Sequence, residues 1–266
     1  LKNKRNYFHW KMIFFLVIFK KINFNIKIPS FKIFLSGAKE TFLRFPFVIL
    51  ASALASFFMI YIVDNDSNIV NTYIYYKLIM SFFLGIPLLL SLKLHSESMN
   101  HSVIRNYVYQ LIGIAILVAF YLSLGEFENF IDIARFFILS IAFHLFVSFS
   151  IHYPENKTEN FWNFNLHIFL RILVSGLYSL VLFAGLDIAI IAVDNLFDMH
   201  IDNTRHGQLF LFILGVFNTW FFLSDIPLNA REKKPYPKAL KIFTQYVIYP
   251  IIVIYFLILY SYIIKI

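Results

Sequence analysis

Seven runs of apolar residues, each close to the length that crosses a bilayer as a helix, dominate this 266-residue chain. A helix needs roughly 20 apolar residues to span a hydrocarbon layer of about 30 Å. Only 14% of the residues are charged, against about 25% in soluble domains, which is too few to cover a water-facing surface. The sequence therefore predicts an all-α polytopic transmembrane helix bundle of about seven spans. The predicted spans are 45–63, 74–94, 107–124, 133–151, 168–193, 208–228 and 243–264.

The residues before the first span, 1–44, form a basic segment, and residues 45–266 form the transmembrane helical domain. The apolar run 12–19 is too short to span and is bracketed by lysines, so it predicts a helix lying on the membrane surface. A signal-peptide core is the alternative, but no small-residue cleavage site follows it. Alternating the loops across the membrane places 19 of the 23 Lys and Arg residues on the side of the N-terminus. This asymmetry predicts a cytoplasmic N-terminus.

The charge and cysteine content exclude several classes of protein. The net charge is +8, and the uneven distribution of Lys and Arg between the loops on the two sides of the membrane accounts for it. We therefore expect no nucleic-acid partner. The chain has no Cys, which excludes disulfides, thiolate metal sites and a cysteine nucleophile. No P-loop, dinucleotide fingerprint or G-x-S-x-G nucleophile elbow occurs, and no catalytic residue or cofactor is predicted.

Polar residues inside the spans are the candidates for function, because each is costly in lipid and needs a partner. Those of the fifth and sixth spans suggest an ion pair between Arg171 and Asp225, and a polar cluster of Asp187, Asn218 and His144. Arg171 and Asp187 lie on opposite faces of the fifth span, and Gly176 and Gly185 favour close packing, so we expect this helix at the centre of the bundle. The alternative is that these residues only pack. The candidates are Arg171, Asp187, Asn218, Thr219, Asp225 and His144.

Two further groups of polar residues lie in predicted loops. The loop after the fifth span carries carboxylates and imidazoles that are candidate ligands for a divalent metal, although loop residues of these types are usually only solvated and nothing fixes a tetrahedral spacing. They are Asp198, His200, Asp202 and His206. After the second span, His95, Glu97 and His101 lack the H-E-x-x-H spacing and predict a polar turn.

Several stretches, taken in order, resemble one family. They are Arg44-Phe45-Pro46-Phe47, Phe83-Leu84-Gly85-Ile86-Pro87-Leu88, 179–186, 216–223 and 236–246. Together they resemble the bacterial polytopic membrane proteins grouped as domain of unknown function 4153, from about Lys32 to the end of the chain. The resemblance implies a multi-pass protein of the bacterial inner membrane with no established activity, so it assigns no catalytic residue. Members usually continue through further hydrophobic segments, and we therefore expect this chain to be a truncated member.

Three functional interpretations remain open. A transport-like or permease-like component comes first, because the fifth and sixth spans combine Asp, Asn and Arg inside the membrane. A scaffold or accessory subunit of an envelope complex is the alternative, since the same residues would also serve packing alone. An intramembrane enzyme is third, with only Asp187 and His144 to carry chemistry. The expected partners are the lipid bilayer and other membrane proteins or further copies of this chain.

Overall fold

The computed structural model describes residues 31–65, 72–125, 129–152, 157–197 and 200–227. These residues form helices and no strand, as expected in lipid, where a helix satisfies its own backbone hydrogen bonds. A π-helical turn, Ile213–Phe217, joins the last two helices. The helices are α1 Phe31–Arg44, α2 Pro46–Asn65, α3 Thr72–Ser98, α4 Val103–Ser123, α5 Phe130–Phe149, α6 Lys157–Phe197, α7 Thr204–Phe212 and α8 Asn218–Leu223.

Six stretches of the described chain are long and apolar enough to cross a membrane. They are α2, α3, α4, α5, α6 and the continuous stretch from α7 through the π-helical turn to α8, and they correspond to the first six predicted spans. The prediction of an all-α polytopic bundle is confirmed. The predicted span 243–264 and the predicted surface helix 12–19 lie outside the described residues.

The centre of the described bundle is α3, and the prediction that the fifth span would be central is wrong for this part of the chain. In its most apolar stretch α3 has 56% of its residues buried, whereas α6 has 11%. The reason is that α3 packs against α2, α4 and α5. Its buried leucines Leu84, Leu88 and Leu89 form the middle of the core.

Close helix approach also occurs at other glycines than those expected. A Cβ added to Gly113 of α4 would lie 2.7 Å from Leu92 Cδ1 and 2.8 Å from Leu89 Cδ2, so α3 and α4 touch there. A Cβ added to Gly176 or Gly185 of α6 would meet nothing within 4 Å. Gly176 and Gly185 of α6 therefore do not mark a tight contact with the rest of the described chain.

Two predicted loops are largely helical. Helix α6 begins at Lys157, so most of the stretch between the fourth and fifth predicted spans belongs to a 41-residue helix. Helix α3 continues to Ser98 and carries His95 and Glu97 on its last turns, which corrects the predicted polar turn. His95 Nδ1 lies 3.0 Å from the Ser150 carbonyl oxygen after α5.

Asp132, one residue before the predicted fourth span, is buried at the start of α5 and holds the α4–α5 connection. Its Oδ2 accepts hydrogen bonds of 3.0 Å from Tyr73 Oη, Gly125 N and Asn129 Nδ2. The Asn129 side chain in turn caps α5 by accepting a hydrogen bond from Asp132 N at 2.8 Å. Arg135 Nη1 lies 3.4 Å from Asp132 Oδ1 and supplies the counter-charge. Each acceptor of this buried carboxylate is therefore satisfied, as burial of a charge requires.

The described residues from Ala38 onwards belong to one compact unit by their contacts. All the side chains discussed below belong to it. Because successive helices run in opposite directions, Arg44, Glu97 and Arg171 share one end of the bundle, which we call the Arg44 end. Asp64, Asp132 and Asp187 lie towards the other end, which we call the Asp187 end.

Candidate functional site

Polar side chains at three heights along α6 form hydrogen bonds with the helices that follow it in the chain. Arg171, Ser179 and Asp187 are spaced eight residues apart, which is about 12 Å of rise per step. Each bonds to the stretch formed by α7, the π-helical turn and α8. The three levels together cover about 24 Å, most of the thickness of a hydrocarbon layer. We call these three residues and their partners the polar seam.

At the Asp187 end of the seam a carboxylate meets an imidazole. His206 Nδ1 of α7 lies 2.5 Å from Asp187 Oδ1 of α6, and each side chain is about three-quarters buried, with 26% and 23% exposed. At this distance the imidazole and the carboxylate are joined by a hydrogen bond. The pair therefore places two ionisable side chains in contact on two spans of the bundle.

In the middle of the seam the contact is between two neutral groups. Ser179 Oγ donates to Asn218 Oδ1 at 3.2 Å, and Ser179 is fully buried. Asn218 follows the π-helical turn directly, and Thr219 beside it is also buried. A π-helical turn inside an α-helix is rare and frequently lies at a functional site. Here it sets the register in which Asn218 faces α6.

At the Arg44 end, Arg171 binds the last turn of α8. Its guanidinium donates to the carbonyl oxygens of Phe221 and Phe222 and, at 2.8 Å, to Ser224 Oγ. These carbonyls lack partners within the helix, and a cation is favourable at that terminus. Arg171 Nη1 lies 4.0 Å from Asp225 Oδ2, so the two residues of the predicted ion pair come together. The shorter contacts, however, are those to the helix end.

Beyond Asp187, a second group of polar side chains joins α2 to α7. Gln208 Nε2 donates to Asp64 Oδ1 at 3.0 Å, and Arg205 Nη1 lies 3.4 Å from the same oxygen. Arg205 also donates to Gln208 Oε1 at 2.8 Å. An exposed cluster of both charges therefore joins α2 to α7 at the Asp187 end.

His144 does not join Asp187 and Asn218, and this part of the predicted cluster is wrong. It lies on α5, its side chain is exposed, and its Nδ1 contacts the Ser140 carbonyl oxygen of its own helix at 2.7 Å. The reason is that α5 packs against α3 and presents His144 away from the protein. The imidazole that meets Asp187 is His206 instead.

The candidate metal ligands are placed separately. Asp202 is exposed and accepts a hydrogen bond from Thr204 N at 3.1 Å, and this bond lowers the pKa of the Asp202 carboxyl below its usual range. His200 is exposed, His206 is held by Asp187, and Asp198 lies outside the described residues. Within the described ranges no three His, Cys, Asp or Glu side chains are grouped as a metal site.

Two contacts near the site were not predicted from the sequence. The pairing of Asp187 with His206 had no signal of position, because Asp187 lies ten residues before the end of α6, whereas His206 is the third residue of α7. The second feature is the contact of Arg44 with Glu97 of α3, with nitrogen–oxygen distances from 2.8 Å to 3.3 Å. Arg44 also donates to the Ile226 carbonyl oxygen at 2.6 Å. Its position in the motif Arg44-Phe45-Pro46-Phe47 was noted, but nothing in the sequence indicated Glu97 as its partner.

Comparison with known proteins gives a family and no relative of known activity. The model of a family described as Domain of unknown function (DUF4153) matches residues 51–266. The matched range contains the whole polar seam and begins after the Arg44-Phe45-Pro46-Phe47 motif. Searches of the curated proteins and of the solved structures returned no significant match. Since the family model covers most of its length, the chain is a multi-pass membrane protein that belongs to the family Domain of unknown function (DUF4153).

Proposed function

We propose that this chain is a transport component of the bacterial inner membrane that carries protons along the polar seam. The observation that carries the proposal is the contact between Asp187 and His206 at 2.5 Å on bilayer-length helices. Ionisable side chains are rare at such positions, and they commonly mark proton or ion pathways. A carboxylate and an imidazole can each accept and release a proton.

The rest of the seam supports a path rather than an isolated pair. Ser179 and Asn218 place hydroxyl and amide groups about 12 Å further along α6, and both groups can donate to and accept from water. Arg171 holds the end of α8 about 12 Å beyond them. The π-helical turn beside Asn218 gives the sixth span a position at which its register can change, a known use of such turns.

The orientation belongs to the proposal as well. From the sequence, 19 of the 23 Lys and Arg residues are predicted on the side of the membrane that Arg44 occupies, so the positive-inside rule favours a cytoplasmic location for the Arg44 end. The Asp187–His206 pair then lies near the outer surface and takes up protons from outside the cell. Such an arrangement suits entry of protons down the gradient of a respiring bacterium.

The test is proton flux into liposomes that contain the purified full-length chain. An internal pH dye reports acidification after an imposed pH gradient, with valinomycin and potassium holding the potential. We expect the wild-type chain to acidify the lumen faster than empty liposomes do, and Asp187→Asn to abolish that difference.

Asp202→Asn is the matched control, because it removes the same charge from an exposed loop at the same end of the bundle. It should leave the flux at the wild-type level. Wild-type flux in Asp187→Asn, in protein that unfolds at the wild-type temperature, would overturn the proposal and favour a scaffold function.

A further inference from the structure

A small cavity lies at the Arg44 end, away from the polar seam, where the start of α2 meets α3 and α4. Its volume is about 30 Å³. A water-sized group needs about 10–15 Å³ of such volume, so the cavity admits two of them. The polar side chains that line it are Arg44, Lys93, Asn106, Tyr107 and Gln110.

The cavity carries a surplus positive charge. Arg44 and Lys93 share the single carboxylate of Glu97, with Lys93 Nζ 3.3 Å from Glu97 Oε1. Four of the five N–H groups of the Arg44 guanidinium are used by Glu97 and by the carbonyl oxygens of Ile226 and Pro227. The Lys93 ammonium has three hydrogens, and the ion pair to Glu97 occupies one of them. Lys93 is mostly buried, so its remaining donors point to a ligand inside the cavity rather than to bulk water.

An acceptor without a partner faces the same space. Asn106 Oδ1 is buried and has no hydrogen-bond partner among the described residues. The nearby Gln110 does not supply one, since the hydrogen bond of its Nε2 goes to the Leu89 carbonyl oxygen at 3.1 Å. A buried acceptor without a partner costs about 1–3 kcal/mol unless a ligand or water donates to it. The cavity therefore offers the Lys93 ammonium as a cationic donor and Asn106 Oδ1 as a neutral acceptor. It has room for one ligand oxygen atom and one ligand hydroxyl group.

Apolar surface continues from the mouth of the cavity along α4. Tyr107, which lines the cavity, is followed on the exposed surface of this helix by Leu111 and Val118. They lie at helical spacing and form a stripe on which acyl chains can pack.

We propose that this cavity binds the headgroup of an anionic glycerophospholipid, with Lys93 donating to a phosphate oxygen and Asn106 accepting a hydrogen bond from a headgroup hydroxyl. The two anchors match the two water-sized groups that the cavity admits. A basic pocket between membrane helices, close to the headgroup layer, is a setting in which anionic lipids bind. The phosphate stays outside the low-dielectric core, so the lipid enters from the bilayer without losing its acyl contacts.

The first test measures lipid binding to the purified full-length chain by native mass spectrometry. The probes are phosphatidylglycerol, phosphatidylcholine and phosphatidylmethanol, the last of which is an anionic phosphodiester without a hydroxyl. We expect wild-type protein to bind phosphatidylglycerol more tightly than phosphatidylmethanol, and phosphatidylmethanol more tightly than phosphatidylcholine. Equal binding of all three lipids would overturn the proposal. Competition by millimolar inorganic phosphate would also overturn it, because it would show a site for free anions.

The second test uses variants of the two anchors. Lys93→Gln should weaken phosphatidylglycerol binding by about tenfold, the loss expected for one charge-assisted hydrogen bond. Asn106→Leu should abolish the preference for phosphatidylglycerol over phosphatidylmethanol while leaving phosphatidylmethanol binding unchanged. Arg105→Gln is the matched control, because it removes an exposed charge one residue from the cavity. If Arg105→Gln weakened binding as much as Lys93→Gln, general surface charge would explain the binding and the proposal would fail.

Discussion

Gly215 lies in the π-helical turn where α2 packs against the sixth span, and replacing it with alanine tests that contact directly. A Cβ built on Gly215 would overlap Ser56 Oγ and would lie 2.9 Å from Ser56 Cβ. Ser56 is fully buried, and its hydroxyl donates to the Ser52 carbonyl oxygen at 3.0 Å. Rotating the hydroxyl away breaks that bond and leaves the two Cβ atoms too close. The two helices must therefore move apart by about half an ångström to restore ordinary contact.

Two opposing effects set the magnitude. Overpacking a tight contact by one methyl group costs about 1–3 kcal/mol. Alanine in place of glycine stabilises a helix by up to about 1 kcal/mol. Gly215→Ala should therefore lower the free energy of unfolding by about 1–2 kcal/mol. Gly176→Ala, whose Cβ meets nothing within 4 Å, should raise it by about 0.5–1 kcal/mol.

The assay is equilibrium unfolding of the purified protein in mixed micelles with increasing SDS, followed by circular dichroism. The rescue variant combines Ser56→Gly with Gly215→Ala, which removes both clashing atoms of Ser56. Its stability should exceed that of Gly215→Ala alone, because the vacated space accepts the new methyl group. If Gly215→Ala unfolded at the same SDS fraction as Gly176→Ala, the close contact between α2 and the π-helical turn would be refuted.

Three further predictions concern the ends of the bundle. Asp132→Ala should destabilise the fold by about 3–5 kcal/mol, the cost of removing one partner from a buried charged network. Tyr73→Phe should destabilise it by about 1 kcal/mol. Both effects are measured by SDS unfolding, and equal losses of stability in the two variants would contradict the network around Asp132. Arg44→Lys keeps the charge but loses the two-pronged contact with Glu97, and should cost at least about 1.5 kcal/mol in the same assay. The lowered pKa of Asp202 means that its carboxylate stabilises the start of α7 at neutral pH and loses this effect as the pH falls through that pKa. Asp202→Asn should therefore remove the acid-induced loss of hydrogen-exchange protection at the Thr204 amide.

Much of the fold was predictable because lipid imposes one dominant constraint. Backbone groups must be bonded within each span, so the apolar runs map directly onto helices. The packing of those helices was not predictable from the sequence. Apolar residues lie on every face of α3 and of α6, and hydrophobicity does not show whether such a face contacts protein or lipid. The polar ends were misjudged for a related reason. Glu97 and Asp132 looked like loop residues, but each extends or caps a helix and finds a partner distant in sequence.

The candidate site was also predictable only in part. Arg171, Asp187 and Asn218 stood out in the sequence because charge and amide groups are costly inside a span. Their partners depend on the register of the hairpin formed by α6 and α7, which the loop between them sets and which composition does not reveal. His206 was consequently taken for a metal candidate, and His144 for a partner of Asp187. The distance of each residue from the loop did not pair them either, because Asp187 lies ten residues before the end of α6 and His206 two residues after the start of α7.

The central claim is that the polar seam is a path for water and protons, and the reactivity of a single cysteine at Ser179 tests it most directly. The chain has no Cys, so each introduced thiol is the only one to react. Leu180 is the control, because it is the next residue on α6 and lies with 60% of its surface exposed on the apolar side. We predict that Ser179→Cys reacts with a charged, membrane-impermeant thiol reagent in liposomes and that Leu180→Cys does not. Reaction at Leu180→Cys without reaction at Ser179→Cys would contradict it.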